Sequence, residues 1–206
     1  MLLASLFFLS APQASQAQLP PVRERIGGRL GFIVTEGQFN SAYGNGYNAT
    51  LHFTEAIHVP FYLDIKIGAL YLGELQRQEL AETFTGIIDI SSDMRILFFS
   101  VGPQYVFSAG RDWLLGYASL AAGVYSVSVL FDSGIQAFDL SQSRFGGNAS
   151  IGTLLRFTST WNLDINVTLH HMRTTTNIDD LFRIFTDGAV DPSIAQFAMG
   201  ITIDLR

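Results

Sequence analysis

Hydrophobic and polar residues alternate along most of the chain with a period of two. This spacing is that of a β-strand with two unlike faces, because successive side chains of a strand point to opposite sides of the sheet. The clearest alternation covers 46–54, 61–71, 161–170 and 197–206. Weaker alternation covers 27–35, 95–107, 113–131 and 144–157. The pattern therefore predicts eight strands and an all-β fold.

The connections between these segments alternate between long and short. The long ones run over 36–45, 74–93, 132–143 and 174–192. The short ones lie near Ala56–Pro60, Ser108–Asp112 and Phe157–Thr160. This rhythm is typical of an antiparallel up-and-down barrel with tight turns at one end and long loops at the other.

The two faces of the alternation differ in charge, and this difference indicates the surroundings of the barrel. One face is almost purely aliphatic and aromatic, and the other holds charged residues such as Asp64 and Asp164. In water the apolar face would be a large exposed patch, whereas lipid suits it once the backbone is hydrogen-bonded around a closed barrel. Aromatic residues also gather near both ends of the strands, as in interfacial belts. We therefore expect an eight-stranded transmembrane β-barrel with its charged face inside.

Residues 113–131 offer a competing interpretation, because they contain no charge and are long enough for a transmembrane helix. Two glycines, Gly116 and Gly123, and the β-branched valines that follow favour a strand. The alternation of Tyr125, Val127 and Val129 also favours a strand.

Composition excludes several classes of protein. The chain is 48% hydrophobic and only 15% charged, which excludes a disordered chain. It has no cysteine, which excludes a zinc ribbon, a disulfide scaffold and a thiol enzyme. Its net charge of −6 makes a nucleic-acid partner improbable.

The N-terminus predicts export. Residues 2–9 form an uncharged apolar block, and Ser15 and Ala17 occupy the −3 and −1 positions of a cleavage site after Ala17. We expect a signal peptide at 1–17, a periplasmic segment at 18–26 and the barrel domain at 27–206.

The chain resembles the small outer-membrane barrels of the OmpA, OmpX and opacity-protein type. The resemblance rests on RFGGNASIGTLLRF (144–157), VGPQYVF (101–107) and the terminal GITIDL (200–205). It implies a monomer in the outer membrane of a Gram-negative cell, surrounded by lipid and lipopolysaccharide. GITIDL is similar to the closing-strand signal that the barrel assembly machinery reads. The role implied is structural, adhesive or one of surface recognition through four long extracellular loops, all of them acidic here. No catalytic, metal or cofactor site is expected.

Charged residues on the inner face predict an ion-pair network that fills the lumen, since eight strands leave barely enough room for side chains. Its members are Arg29, Asp64, Lys66, Arg156, Asp164 and Asp204. Arg29 and Asp204 are expected at similar height across the closing seam.

Three arginines near the loop-side strand ends are candidates for contacts with lipopolysaccharide phosphates: Arg95, Arg144 and Arg173. Guanidinium groups match phosphate geometrically, although arginines at this depth also extend simply towards water.

Two other functions remain open. One is a lipid A-modifying barrel enzyme, which needs a serine, a histidine and an acid converging on the lipid face. His171 points outward by parity, but no serine stands near it in the same register. The other is a narrow channel for small solutes, which needs a continuous polar bore.

Overall fold

Eight strands make up the structure, a computed structural model that describes residues 23–35, 45–72, 91–132, 137–172 and 193–205. The strands are β1 (Glu24–Thr35), β2 (Gly46–His58), β3 (Phe61–Leu72), β4 (Ser91–Arg111), β5 (Leu114–Asp132), β6 (Ala137–Arg156), β7 (Trp161–Met172) and β8 (Ser193–Leu205). Each strand pairs antiparallel with its neighbours in sequence, and β1 pairs with β8 to close the barrel. The predicted all-β, eight-stranded up-and-down barrel is confirmed.

The orientation of the two faces agrees with the sequence pattern over most of the barrel. The outward side chains include Leu51, which is 63% exposed, and Ile67, which is 58% exposed. The inward side chains include Asp64 and Asp164, both fully buried. Because the exposed face is apolar around the whole wall, lipid and not water is the surrounding that it fits.

Aromatic residues border the apolar face at both ends. At the loop end, the rings of Phe32 and Phe197 stack at 5.3 Å across the β1–β8 seam. At the turn end, Phe61 and Tyr105 lie 5.3 Å apart, and exposed tryptophans lie on the same level. These are the two interfacial belts that the sequence predicted.

Two boundaries differ from the sequence prediction. Strand β1 begins at Glu24, so the last three residues of the segment assigned to 18–26 belong to the barrel. The structural reason is Arg25, which points into the lumen and pairs in register with Asp204. The predicted signal peptide at 1–17 lies outside the described residues.

The third predicted loop, 132–143, is largely strand. Strand β5 continues to Asp132 and β6 starts at Ala137, so only 133–136 separate them. Residues 113–131, the candidate helix, lie almost entirely within β5. Among the described residues, no helix is long and apolar enough to cross a bilayer.

Strands β4, β5 and β6 are longer than the others; at the loop end β4 passes the end of β3 by three residues, and β6 passes the end of β7 by nine. They contain 21, 19 and 20 residues, against 12 or 13 in the other five. The last residue of β7, Met172, pairs with Gly146, so residues 137–145 of β6 continue beyond it. We call this part of β4–β6 the extension.

The polarity of the two faces changes in the extension. Its outward residues include Asp93, Arg95, Ser126, Ser128, Ser141 and Ser143, together with the exposed Leu130 and Phe145. Its inward residues on β4 and β5 are apolar and buried (Met94, Ile96, Tyr125, Val127 and Val129), whereas β6 turns the buried Arg144 inward. On β5, serines outside and valines inside suit water better than lipid.

Candidate functional site

The middle of the lumen is filled by a hydrogen-bonded polar layer, and Asp164 on β7 is one of its two centres. Its Oδ2 lies 2.7 Å from the Arg29 guanidinium. The Tyr117 hydroxyl donates to its Oδ1 at 2.8 Å, and the Thr202 hydroxyl donates to Oδ2 at 3.2 Å. His52 approaches the same oxygen at 3.6 Å. Five strands therefore meet at one buried carboxylate.

Lys66 on β3 is the second centre. Its ammonium lies 3.0 Å from the Asp64 carboxylate. It also donates hydrogen bonds to Ser119 at 2.9 Å, Asn148 at 3.2 Å and Ser150 at 3.0 Å. Because β5 and β6 lie across the barrel from β3, the lysine side chain spans the lumen. The cost of burying its charge is offset by four polar contacts.

A chain of hydrogen bonds continues from Lys66 towards the loop end. Asn148 donates to the Tyr125 hydroxyl at 3.2 Å, and that hydroxyl lies 3.2 Å from Nδ1 of His170. Nε2 of His170 lies 2.8 Å from the Gln196 side-chain oxygen. The chain thus runs from β3 through β6, β5 and β7 to β8.

A separate ionic cluster lies at the turn end of the lumen. Asp204 contacts the Arg25 guanidinium at 3.1 Å and the Arg156 guanidinium at 3.3 Å. Asn162 donates to Asp204 at 3.0 Å, and the Arg25 guanidinium also lies 4.8 Å from the centre of the Tyr62 ring.

The six charged residues chosen from the sequence are all inside, but their pairing differs from the expectation. Arg29 was placed near Asp204, whereas its register partner on β8 is Gly200 and its ion-pair partner is Asp164. Arg25 pairs with Asp204 instead and was missed, because it precedes the barrel boundary predicted from the sequence. The stagger of a closed barrel sets these heights, and alternation does not contain it.

Two glycines make room for members of the polar layer. A Cβ at Gly152 would collide with the Tyr117 ring, and one at Gly27 would collide with the His52 ring. The absence of these Cβ atoms lets the two rings lie over the adjacent strand, because Gly152 is the register partner of Tyr117 and Gly27 that of His52, and so reach Asp164 or its neighbours.

The loop end of the lumen is apolar. Eleven buried residues from six strands form one cluster there: Ile33, Leu70, Leu72, Met94, Ile96, Phe98, Tyr125, Val127, Val129, Met172 and Ile194. A smaller apolar cluster lies near the turn end: Tyr62, Val106, Leu115, Tyr117 and Leu154. Tyr125 belongs to the loop-end cluster by its ring and to the polar layer by its hydroxyl. The interior is therefore divided into a polar layer and an apolar cap.

The three rim arginines have three different outcomes. Arg95 is exposed on the outer surface at the loop-end boundary. Arg144, the second candidate for lipopolysaccharide contacts, is only 3% exposed and points into the lumen. Its parity on β6 explains this, since its neighbour Phe145 is the residue that faces outward, at 76% exposure. Arg173 lies outside the described residues.

One pair on the lipid-facing surface was not predicted. His171 and Ser193 face each other across β7 and β8, with Nδ1 of the histidine 3.4 Å from the serine hydroxyl. The serine was missed because it lies 22 residues away in sequence. Within the described part of the chain no carboxylate makes an ion pair with His171.

No protein-family model matches this sequence, and no curated protein matches it. Several solved structures are similar to this chain. Neisserial surface protein A is 11% identical with a TM-score of 0.58, over 88% of this chain and 97% of that one. A major outer membrane protein of Thermus thermophilus is 10% identical with a TM-score of 0.60, over 87% and 98%. Ail, the attachment invasion locus protein of Yersinia pestis, is 12% identical with a TM-score of 0.51, over 88% and 95%.

At these identities the likeness establishes the fold. The chain has the fold of the small outer-membrane β-barrels, as the sequence resemblance predicted. Together with the apolar outer surface and its two aromatic belts, this fold places the protein in the outer membrane.

Proposed function

We propose that the protein is a surface-recognition barrel: a closed, side-chain-filled membrane anchor that presents the β4–β6 extension and its loops outside the cell. The observation that carries this proposal is the polarity of the extension on β4 and β5, because serines outside and valines inside suit water better than lipid. On β6, the nine residues 137–145 beyond the end of β7 project roughly 20 Å in a tilted barrel. Ail, with a similar fold, is by its name an attachment protein.

The absence of cysteine from the chain makes a direct test of this topology available. Ser141→Cys places a single thiol on the extension, and Thr158→Cys places one in the exposed β6–β7 turn. A membrane-impermeant maleimide should label the Ser141→Cys variant on intact cells. It should label the Thr158→Cys variant only after the outer membrane is permeabilised. The reverse pattern would contradict the proposed orientation.

Recognition itself is tested by shortening the hairpin. Phe131 pairs with Phe138, and Leu130 pairs with Asp139. Replacing 131–138 by an Asn-Gly turn, which suits a two-residue hairpin, removes the tip and keeps the apolar cap. Adherence of a non-adherent Gram-negative strain to cultured epithelial cells should rise with the intact protein and not with the shortened one. Equal adherence of both strains would count against recognition through this hairpin.

The filled lumen is the second half of the proposal. The Lys66 side chain, the Arg29–Asp164 pair and the Tyr125–His170 contact occupy successive levels of the bore. The intact protein is therefore expected to give no steady conductance in planar bilayers. Lys66→Ala removes the side chain that spans the lumen and should give measurable openings. A stable open pore formed by the unaltered protein would favour a channel instead.

A further inference from the structure

A cleft of about 630 Å³ with both polar and apolar lining lies on the outer surface at the loop-end boundary. It forms where β2 and β3 end while β4 and β5 continue into the extension. Its lining includes Tyr47, Tyr71, Asp93, Arg95, Leu97 and Ser128. The aromatic rings of β2 and β3 line one side of the cleft, and residues of β4 and β5 line the other.

The side chains that line it stand in one register row. Tyr47 pairs with Tyr71, Tyr71 with Arg95, and Arg95 with Ser128, so four neighbouring strands contribute. The two tyrosine rings stack at 5.1 Å with an angle of 21°. The Arg95 guanidinium lies 5.4 Å from the centre of the Tyr71 ring. The arginine is therefore held flat against a rigid aromatic support.

The charge of Arg95 is open to a ligand. Among the described residues, no carboxylate forms an ion pair with it, and it is exposed. Asp93 also lines the cleft, two residues before Arg95 on β4 and therefore nearer the loop end. An anion that enters from the lipid side meets the guanidinium before it meets this carboxylate.

The cleft lies at the depth of lipid headgroups. Two rows below Tyr71 and Arg95, the outward residues Ile67 and Phe99 are 58% and 52% exposed and belong to the apolar belt. Beside and above it, Ser128 and Asp93 belong to the wall that faces water. Tyrosine and arginine at such a boundary are the residues that contact headgroups.

We propose that this cleft binds the phosphate of an outer-membrane lipid. The planar guanidinium of Arg95 donates paired hydrogen bonds to the phosphate oxygens, Ser128 lies within the same cleft, and an acyl chain descends past Leu97 into the belt. The proposal rests on the outward placement of the extension. Its test is done on purified protein, so its failure and a failure of the cell-surface labelling are distinguishable.

The experiment titrates folded barrel in a neutral maltoside detergent with three probes and follows binding by native mass spectrometry. The probes are a phosphatidic acid, a diacylglycerol with the same acyl chains, and glycerol 3-phosphate. The phosphatidic acid should bind about tenfold more tightly than either of the others. Arg95→Gln should abolish that preference. Heat-modifiable migration on gels verifies that each variant is folded.

A matched control exists at the opposite rim. Arg111 lies over the Trp113 ring at 5.5 Å and is exposed, like Arg95 over Tyr71. Arg111→Gln should leave phosphatidic acid binding unchanged, and Asp93→Asn should leave it unchanged or strengthen it. Equal weakening by the two arginine substitutions would overturn the proposal, because any rim arginine would then suffice. Equal binding of diacylglycerol, or of glycerol 3-phosphate, would overturn it as well, since neither ligand combines the phosphate with an acyl chain.

Discussion

The barrel wall has two regions that differ in which face carries the polar side chains. In the middle of the barrel, inward residues are charged or polar and outward residues are apolar. In the extension, the inward residues of β4 and β5 are apolar and most of the outward ones are polar, although Arg144 on β6 points inward and Phe145 outward. Along β5 the change occurs at Tyr125, which has Ser119 below it and Val127 and Val129 above it on the inner face. The surroundings of the wall account for the difference, because one region is enclosed by lipid and the other by water.

The comparison also separates two ways of filling a barrel. The polar layer depends on complete pairing, because each buried charge is costly without its partner. The apolar cap depends on packing alone and tolerates conservative changes better. Substitutions in the two regions should therefore differ in how much stability they cost, and in whether a second substitution that removes the unpaired partner restores it.

The largest effect is expected from Asp164→Asn. This change leaves Arg29 buried without its counterion and should lower the free energy of unfolding by about 3–5 kcal/mol. Denaturant titration of the barrel in detergent micelles measures it. Asp112→Asn, in an exposed turn, is the matched control and should change stability by less than about 0.5 kcal/mol. The double variant Arg29→Met with Asp164→Leu should be more stable than Asp164→Asn alone. If the double variant is no more stable than Asp164→Asn, the loss of stability does not come from the unpaired charge of Arg29.

A smaller effect distinguishes the two surroundings of the wall. Leu120 and Ser128 are both outward residues of β5, but Leu120 lies in the apolar belt and Ser128 in the extension. Leu120→Lys should cost about 2–4 kcal/mol when the barrel unfolds from phospholipid vesicles, because it places a charge in hydrocarbon. Ser128→Lys should cost less than about 0.5 kcal/mol. Similar costs at the two positions would mean that the extension is not in water.

The smallest effect is expected at the junction of the two regions. Tyr125→Phe keeps the ring in the apolar cap and removes the hydroxyl that joins Asn148 to His170. The loss should be about 1 kcal/mol, the worth of a buried hydrogen bond. Val127→Ala, two residues further into the cap, provides a comparison in which only packing is lost. No change in stability for Tyr125→Phe would show that the hydroxyl does not link the two regions.

Much of the fold was predictable because alternation is a local property. The segments 61–71 and 161–170 lie within β3 and β7, and each ends within two residues of its strand. The extension was harder to predict. The segment 132–143 was predicted as a loop, but residues 137–143 belong to β6.

The candidate site was predictable in its members and not in its contacts. Asp164 and Lys66 are charged residues on an otherwise polar face, and the sequence marks them clearly. Their partners come from strands across the barrel: Arg29 is 135 residues from Asp164, and Ser150 is 84 residues from Lys66. Ser193 escaped notice beside His171 for the same reason, since strand register brings them together.

By itself, the amino-acid sequence determined that this chain forms eight strands, that each has one apolar face, and that charges are concentrated on the other. These features follow from the two-residue period of a strand. Only the tertiary structure decided which charges meet, which face of the extension is inside, and where Arg95 stands relative to the tyrosine pair. The stagger of the strands around a closed barrel sets these heights, and stagger is a property of all eight strands together.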